Sequence, residues 1–485
     1  MPPGIRGLLV GIPHTGCWQS HPNVGQTTDE LPMTTASELH ATFTQQLEAS
    51  RSHPYASLEQ RREWLATLQR VLYTRGAALG VSISSDFGHR SLFETDLLEL
   101  FPSLEAIRHA RRHLRAWMRP QRRTPSVWFL PASAEIRYQP LGVVGIIVPW
   151  NYPLYLVIGP LVSALAAGNR VIVKVSEHSV EFGELFARLV DQHFAPDVLR
   201  IAVGGIELAR EFGRLPFDHL LFTGSTAVGR EVMKAAAQNL TPVTLELGGK
   251  SPAIVCPDFD LATAAKRIVF GKLVNAGQTC IAPDYVLAPE ECVSDLIAYM
   301  RAAAQSLYAT GVASTDYTSI ASDTHFSRLQ SMLDDAVRQG AVAEPLLSAG
   351  KTDLPRRFSP VALRGVTDSM RVMQEEIFGP ILPIVSYRSI EDAIEYVNRR
   401  DRPLAMYLFD RDRKHRDYIL RRTASGGVTI NDTLLHIAQD ELPFGGVGAS
   451  GMGRYHGVEG FKTFSQQRSV FTRGRVNATP LLYPP

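Results

Sequence analysis

Three polar side chains of the sequence stand in contexts that suit catalysis: Cys280, Glu246 and Asn151. Cys280 follows the turn-forming run Asn275 to Gly277 and precedes Pro283. The thiolate of a cysteine is the nucleophilic form, whereas a free thiol is mostly protonated at neutral pH. Cys280 is therefore a candidate nucleophile because its surroundings are polar and rich in turn residues. The alternative is an inert buried thiol, which is the commoner state of a free cysteine.

A candidate base and a candidate oxyanion donor accompany this thiol. Glu246 lies between Leu245 and Leu247 in TLELGGK, and Gly248 and Gly249 follow. Burial among apolar neighbours raises the pKa of a carboxylate and makes it a competent base near neutral pH. The alternative is a salt bridge to Lys250 or another cation. Asn151 lies on the proline-braced turn PWNYP at the end of a predicted strand, where its amide is suited to stabilise an oxyanion.

A small-residue turn is a candidate phosphate site. A predicted strand over His219 to Phe222 runs into Gly224 and Ser225, and a helix is predicted from about Ala227 to Gln238. Unpaired N–H groups at such a helix start, together with the helix dipole, favour an anion. The turn lacks the Lys followed by Ser or Thr of a Walker loop. An ordinary tight connection between a strand and a helix remains an equal alternative.

Other residues bear on where a nucleotide would bind. Lys174 and Glu177 follow the strand VIVK, at the edge where doubly wound sheets bind nucleotides and a carboxylate can accept hydrogen bonds from ribose hydroxyls. An exposed loop pair is the alternative. Gly446, Gly448 and Gly451 spell GxGxxG, but they follow no convincing strand, and we interpret them as a false dinucleotide fingerprint.

The hydrophobic pattern predicts the elements that position these residues. From Ala36 to Arg123 it is helical, and Ser57 with Gln60 forms a predicted capping box. After Pro140, short apolar runs alternate with helical patterns, which indicates parallel sheets with crossover helices. The fold class is therefore α/β with two doubly wound parallel-sheet domains. The predicted strands are Val143 to Val148, Arg170 to Val175, Leu199 to Val203, His219 to Phe222, Ala253 to Cys256, Tyr285 to Leu287, Ile381 to Val385, Leu404 to Phe409 and Gly427 to Ile430.

Composition excludes several protein classes. With 485 residues, the chain is long enough for roughly two to four domains. The 50 basic and 48 acidic residues leave a charge of +2, which gives no global field for nucleic acid or anionic lipid. The basic run Arg108 to Arg123 is interpreted as a solvated helix face, with nucleic-acid binding as the alternative. No apolar run approaches the roughly 20 residues that cross a bilayer.

Cysteine usage favours a reducing compartment, and we expect a cytoplasmic protein. The sequence contains no CxxC pair, so it predicts neither a metal site nor a redox pair. The cysteines are too few for a disulfide framework; they are Cys17, Cys256, Cys280 and Cys292. Residues 1–35 are expected to be a disordered leader, with a signal peptide over Ile5 to Ile12 or a later start at Met33 as alternatives.

The motifs together resemble the aldehyde dehydrogenase superfamily from about residue 38 to about residue 475. The shared motifs, in order, are PWNYP, KVSE, FTGSTAVG, LELGGKSP, GQTC, EEIFGP and PFGGVGASGMG. Within the superfamily, DFGHRS with Glu94, QPLGVVGIIVPWNYP and NDTLLH resemble the class-three branch, and most closely the bacterial coniferyl aldehyde dehydrogenases.

The resemblance implies a role for each site residue. Cys280 would be the nucleophile, Asn151 and the Cys280 N–H the oxyanion donors, and Glu246 the base that activates water to hydrolyse a thioester. The family's dinucleotide would be bound by Lys174 and Glu177 at the adenosine ribose, Gly224 and Ser225 at the pyrophosphate, Glu376 at the nicotinamide ribose, and Phe378 beside the nicotinamide. Because Glu177 would repel a 2′-phosphate, NAD is expected, with NADP also tolerated in this branch.

The resemblance also implies a substrate and an organisation. The substrate would be an aromatic aldehyde such as coniferyl aldehyde, with medium-chain aliphatic or benzaldehyde-type aldehydes as alternatives. An acyl-phosphate reductase or a non-enzymatic structural protein of the same fold is more remote, because Glu246 and Cys280 are both present. A homodimer is expected. The expected division is 36–118 with 139–245 for NAD binding, 246–435 for catalysis, and 119–138 with 436–475 for an oligomerisation arm and C-terminal segment.

Overall fold

The computed structural model describes residues 33–348 and 350–474. Residues 1–32 of the expected leader lie outside this part. The expectation of disorder is wrong for its last residues, because the Thr34 N–H donates to the Val203 carbonyl at 2.8 Å and the Val203 N–H donates to the Thr34 hydroxyl at 3.1 Å. Thr35 then caps the first helix in a capping box with Glu38. Thr34 and Thr35 therefore belong to the folded part of the chain.

Helices surround the sheets and form the N-terminal part of the described chain. The capping box at Ser57 and Gln60 is confirmed at the start of the second helix. The arginines of the helix Phe101–Trp117 are exposed, as expected for a solvated face. In chain order the α-helices are α1 (Ala36–Ser52), α2 (Leu58–Asp86), α3 (Leu92–Thr95), α4 (Phe101–Trp117), α5 (Pro153–Ala167), α6 (Val180–His193), α7 (Ile206–Arg214), α8 (Thr226–Ala237), α9 (Leu261–Leu273), α10 (Val293–Leu307), α11 (Asp323–Arg338), α12 (Arg371–Gln374), α13 (Ile390–Asn398), α14 (Arg413–Arg422) and α15 (Gly457–Thr463).

The strands, in chain order, follow the predicted alternation. They are β1 (Gln121–Arg123), β2 (Ser133–Pro140), β3 (Val143–Ile147), β4 (Arg170–Lys174), β5 (Leu199–Ala202), β6 (His219–Thr223), β7 (Val243–Glu246), β8 (Pro252–Val255), β9 (Tyr285–Pro289), β10 (Val342–Pro345), β11 (Val361–Arg364), β12 (Ile381–Tyr387), β13 (Ala405–Phe409), β14 (Gly427–Ile430), β15 (Gly451–Met452) and β16 (Ser465–Thr472). All nine predicted strands are present, and the α/β fold class is confirmed.

Two sheets are almost entirely parallel. The first has the order β15-β7-β6-β3-β4-β5, in which only β15 is antiparallel. The second has the order β10-β11-β12-β9-β8-β13-β14, in which only β10 is antiparallel. Parallel strands all end at the same edge of their sheet, so loops that are far apart in sequence converge there. Four strands of these sheets escaped prediction: β7, β10, β11 and β15.

A third, antiparallel sheet has the order β1-β2-β16. It contains the hairpin formed by β1 and β2, and β16 pairs along β2 from Ser465 opposite Pro140 to Thr472 opposite Ser133. We call these three strands, with the segment Val127–Leu130 that joins β1 to β2, the arm.

Both faces of the first parallel sheet are covered. Val144 and Ile146 of β3 belong to the main apolar core with α2, α5 and α6, whereas Val143 and Ile147 pack in a second core with α1, α7 and α8. Burial on both faces explains why these strands are continuous apolar runs and do not alternate. Within the described residues, no helix is both long enough and apolar enough to cross a membrane.

Candidate functional site

A cavity of about 570 Å³ lies where the loops of the two parallel sheets meet. Three of its walls are formed by the residues that follow or end β3, β6 and β7 of the first sheet. The other walls are formed by the chain around Cys280 and by the region of α11 and α12. The lining residues are Pro149, Trp150, Asn151, Leu156, Thr223, Gly224, Ser225, Thr226, Ala227, Glu246, Leu247, Gly248, Cys280, His325, Arg328, Glu375, Glu376 and Phe378. The structure thus brings seven of the predicted site residues to one space.

Cys280 is presented to this cavity by a tight left-handed turn. Asn275, Ala276 and Gly277 have φ angles of 52°, 51° and 75°, a region that residues other than glycine seldom adopt. A Cβ on Gly277 would overlap the carbonyl oxygen of Gly379, so glycine is required there. The predicted turn before the thiol is therefore present, and surrounding contacts hold it in a strained conformation.

The Cys280 thiol is protonated in this environment. Burial raises its pKa to about 12, and the carboxylates of Glu376 and Glu246 add to the rise. A thiol with this pKa is a poor nucleophile until a base removes its proton. Cys280 must therefore lose this proton before it can attack a carbonyl carbon.

Glu246 has the environment of a general base. It is the last residue of β7, is 2% exposed, and neither carboxylate oxygen has a hydrogen-bond partner among the described residues. Burial raises its pKa well above the ordinary glutamate value. The alternative of a salt bridge to Lys250 is excluded, since that ammonium binds the Asp284 carboxylate and the carbonyls of Val372 and Glu375.

The glycine motif that resembled a dinucleotide fingerprint supports this carboxylate. Gly451 of β15 pairs with Glu246 in the antiparallel register, and the Leu247 N–H donates to the Ser450 carbonyl at 3.1 Å. The Cβ of any other residue at position 451 would overlap the carbonyl oxygen of Leu245. The glycine thus permits the close approach of β15 to the strand that ends in Glu246.

The amide of Asn151 lies between the thiol loop and a buried ion pair. The side-chain Nδ2 donates to the Gln278 carbonyl at 3.1 Å, and the backbone carbonyl of Asn151 accepts from Arg90 Nη1 at 3.2 Å. Arg90 is paired with Glu99 at 2.5 Å, and both side chains are fully buried. A side-chain amide has two N–H donors, so Asn151 keeps one for a ligand.

The Arg90 and Glu99 pair was missed by sequence reasoning. Glu99 also accepts the backbone N–H groups of Leu154 and Tyr155, at 2.7 and 3.1 Å, and so caps the start of α5. The pair therefore holds the PWNYP turn at Asn151 and directly after its last residue. The only available signal was a helix start without a capping side chain of its own, and that does not identify a partner in a distant segment.

The turn between β6 and α8 has the predicted form. Ser225 caps α8 by accepting the Val228 N–H at 3.3 Å. A Cβ on Gly224 would overlap the ring of Phe222, so the bare backbone at this turn is required and stays accessible from the cavity. The N-terminal N–H groups of α8 therefore face the space where an anion would bind.

Lys174 and Glu177 are close together but outside the cavity lining. The Lys174 side chain is buried, and its Nζ lies 3.3 Å from Glu177 Oε2, which is partly exposed. Burial lowers the pKa of Lys174, which the nearby Glu177 carboxylate partly offsets. Because β4 is hydrogen-bonded to β3, this pair lies one strand away from the turn that carries Asn151. It can reach a ligand only if that ligand extends beyond the cavity.

Glu376 and Phe378 also line the cavity. Burial, and then the Asp284 carboxylate, raise the pKa of Glu376 to about 8. A Cβ on Gly248 would overlap the Glu376 carboxylate, so glycine is needed beside it. Phe378 adopts a left-handed backbone with φ of 53°, and its ring centroid lies 5.6 Å from that of Trp150.

His325 and Arg328 are cavity residues that the sequence did not identify. The His325 ring lies 4.8 Å from Trp150, and burial lowers its pKa to about 4, with Arg328 and His178 contributing. A neutral imidazole is therefore present at pH 7. Arg328 donates to the Glu376 carbonyl at 3.1 Å and supports that wall. Both lie on α11, whose pattern is that of an ordinary amphipathic helix.

Residues 17–470 match the model of the protein family described as "Aldehyde dehydrogenase family". The match begins earlier than residue 38, where the resemblance was expected to start. The chain is 50% identical to "Probable coniferyl aldehyde dehydrogenase" of Pseudomonas aeruginosa, over 92% of this chain and 94% of that protein.

Solved structures of similar proteins agree with the fold. The substrate-bound AldH of Staphylococcus aureus has a TM-score of 0.86 and 37% identity, over 91% of this chain and 95% of that one. The aldehyde dehydrogenase of Mycobacterium tuberculosis complexed with NAD⁺ has a TM-score of 0.82 and 29% identity, over 91% of each chain.

Proposed function

Since this chain belongs to the aldehyde dehydrogenase family and is an NAD(P)-dependent enzyme that oxidises aldehydes, we propose that Cys280, Glu246 and Asn151 perform the reaction. One observation carries the proposal: a partly buried thiol, an unpaired buried carboxylate and an amide with a spare donor line a single cavity. Each group suits a different step of the reaction.

In the first step the thiol adds to the aldehyde. The thiol releases its proton to solvent, the sulfur forms a bond to the carbonyl carbon, and the carbonyl π electrons move to the oxygen. The free N–H of the Asn151 amide and the Cys280 backbone N–H stabilise this oxyanion. The hydrogen bond from Asn151 to the Gln278 carbonyl fixes the amide in place beforehand, so little reorganisation is needed.

The residues present fit a nicotinamide dinucleotide. The helix start at Ser225 would hold the pyrophosphate, with Gly224 giving access to the backbone. Lys174 and Glu177 would hold the adenosine ribose, Glu376 the nicotinamide ribose, and Phe378 would pack beside the nicotinamide. When bound, the nicotinamide supplies a hydride acceptor. We favour NAD over NADP, because the Glu177 carboxylate would repel a 2′-phosphate.

In the last step Glu246 activates water against the thioester on Cys280. The carboxylate takes a proton from the water, whose oxygen forms a bond to the acyl carbon, and the carbon–sulfur bond breaks. The products are a carboxylic acid and the free thiol. This base disfavours the alternative acyl-phosphate reductase, in which attack by water would waste the intermediate.

We propose an aromatic aldehyde such as coniferyl aldehyde as the substrate. The Pseudomonas aeruginosa relative bears that name, and Trp150 and Phe378 give the cavity aromatic walls. Medium-chain aliphatic and benzaldehyde-type aldehydes remain the alternatives. A free thiol at the reaction centre fits a reducing compartment, and we propose the cytoplasm.

We also propose the expected domain division and a homodimer assembled through the arm. The division has residues 36–118 and 139–245 for NAD, 246–435 for catalysis, and 119–138 with 436–475 for assembly. The arm exposes apolar side chains in one place, and such patches mark interfaces. They are Val127, Trp128, Phe129, Leu130 and Phe471.

The test is a comparison of kcat/KM for coniferyl aldehyde, benzaldehyde and a medium-chain alkanal, each with NAD and with NADP. We expect the highest value for coniferyl aldehyde with NAD. A preference for the alkanal would overturn the proposal of an aromatic substrate, and a preference for NADP would overturn the proposed role of Glu177. Oxidation of none of them would overturn the proposed reaction.

A further inference from the structure

Two neighbouring strands of the second parallel sheet end in potential metal ligands, which do not line the cavity of the proposed reaction. Cys256 directly follows β8, and Asp410 directly follows β13, which pairs with β8. The Cys256 N–H donates to the Phe409 carbonyl at 3.0 Å, so the strand register sets the two residues side by side. Neither has a part in the proposed mechanism.

A histidine completes the group. His415 lies in the first turn of α14, whose start is capped by Asp412. Its Nδ1 lies 2.6 Å from Asp410 Oδ2. One ligand atom from each of Cys256, Asp410 and His415 lies within 4.8 Å of the others.

The three residues combine burial with access. Cys256 and Asp410 are 3% and 4% exposed, whereas the His415 side chain is 33% exposed. An ion could therefore enter past the imidazole and lose most of its water against the other two ligands. Two hydrogen bonds fix Asp410 in place. Its Oδ1 accepts the Asp412 N–H at 2.7 Å, and its backbone N–H donates to Asn431 Oδ1 at 2.8 Å.

We propose that Cys256, Asp410 and His415 form a binding site for a divalent transition-metal ion, best matched by zinc. Thiolate, imidazole and carboxylate are zinc's usual protein ligands, and water would complete a tetrahedral shell. The sulfur and nitrogen ligands select against magnesium and calcium, which prefer oxygen. One thiolate and one carboxylate balance the double positive charge.

The ion changes the state of the thiol. Without it, burial and the neighbouring Asp410 carboxylate raise the pKa of Cys256 far above the ordinary thiol value, so Cys256 is not a nucleophile. On binding, the thiol proton leaves to solvent and the sulfur forms a bond to the metal, with no change in oxidation state. The sequence predicted no metal site because the ligands come from separate segments and form no short motif.

The test uses cobalt(II), which reports on its ligands by absorption. The full-length protein is freed of metal with a chelator and titrated with cobalt(II). We expect one equivalent to produce a thiolate-to-cobalt charge-transfer band in the near ultraviolet. Zinc should then displace the cobalt and abolish the band. The band should disappear in Cys256→Ser, and the apparent affinity should fall at least about tenfold in His415→Gln.

Matched cysteine variants separate this site from others. Cys292→Ser and Cys280→Ser should keep the band, because neither thiol belongs to the group. The second potential cluster among the described residues, His109, His113 and Glu441, has no sulfur and cannot produce it. Absence of the band in the parent protein, or its persistence in Cys256→Ser, would overturn the proposal. His415 is partly exposed, so His415→Gln provides a test even if Cys256→Ser does not fold.

Discussion

The Glu94 carboxylate accepts the backbone N–H of Asn275 at 3.0 Å, across 181 positions of sequence. This hydrogen bond stabilises the left-handed turn that leads to Cys280. The Thr318 hydroxyl donates to the same oxygen at 2.7 Å and fixes the carboxylate in turn. Residues other than glycine in this backbone region cost of order 1–3 kcal/mol each and persist only where contacts hold them. Glu94 is therefore a positioning residue for the thiol.

Replacement of Glu94 should affect the turn according to the acceptor that remains. Glu94→Gln keeps an oxygen for the Asn275 N–H, so we expect its kcat within about threefold of the parent. Glu94→Ala leaves two buried donors unpaired, at about 1–3 kcal/mol each, and should lower kcat at least tenfold. The measurement is steady-state kinetics together with thermal unfolding. Equal kcat values for the two variants, in folded protein, would show that Glu94 does not position Cys280.

Removal of the Cys280 thiol should separate binding from chemistry. Cys280→Ala should bind NAD, measured by calorimetry, with a Kd close to that of the parent, because the proposed cofactor contacts are made by other residues. It should form no NADH from any aldehyde, since no covalent intermediate is available. Cys292→Ala, which alters another free cysteine, serves as the control with parental activity. Aldehyde oxidation by Cys280→Ala at the parental rate would show that Cys280 is not the nucleophile.

Substitution of Glu246 should stall the enzyme after the hydride step. Glu246→Gln is expected to form about one NADH per active site in a burst and then turn over about 10²- to 10⁴-fold more slowly, as loss of a general base predicts. Rapid-mixing absorbance measures both phases. Glu231→Gln on the exposed face of α8 is the matched control. Parental steady turnover in Glu246→Gln would assign the base to another residue.

The raised pKa of Glu246 also predicts the direction of two pH effects. The carboxylate is active when deprotonated, so thioester hydrolysis should accelerate as the pH rises through a pKa above the ordinary glutamate value of 4.5. Because the folded-state pKa exceeds the unfolded one, this group lowers stability as the pH rises between the two values. Glu246→Gln should therefore be more stable than the parent at pH 7, and the difference in Tm should vanish near pH 4. A constant difference would contradict the unpaired carboxylate.

Much of the site follows from the sequence because parallel strands end at one edge. Asn151 and Ser225 each follow a predicted strand of the first sheet, so the alternating pattern placed both at the edge where its parallel strands end. The turn before Cys280 could be predicted from Asn275 and Gly277. The strand β7 was missed since its four residues are too few to show a period, although it carries Glu246.

The remaining contacts could not be predicted because they join distant segments through charged residues. Arg90, Glu94 and Glu99 lie in a helical region, where charged side chains normally face water. Only the assembled fold shows that these three side chains are buried, and that Arg90 and Glu94 bond to the loops at Asn151 and Asn275. A single sequence does not distinguish a buried charge of this kind from a solvated one.

The arm predicts how the dimer can be dissociated. Trp128 is 83% exposed in the segment between β1 and β2, beside Phe129, whose ring lies 5.9 Å from Phe471 of β16. Burial of this patch against a second copy is the proposed source of association, and a charge at its centre would lose most of its hydration there. Trp128→Asp should therefore elute as a monomer in size-exclusion chromatography with light scattering, whereas the parent has twice the chain mass. Leu240→Asp is the control, because Leu240 is 90% exposed after α8 and outside the arm. A monomeric parent, or a dimeric Trp128→Asp, would disprove assembly through the arm.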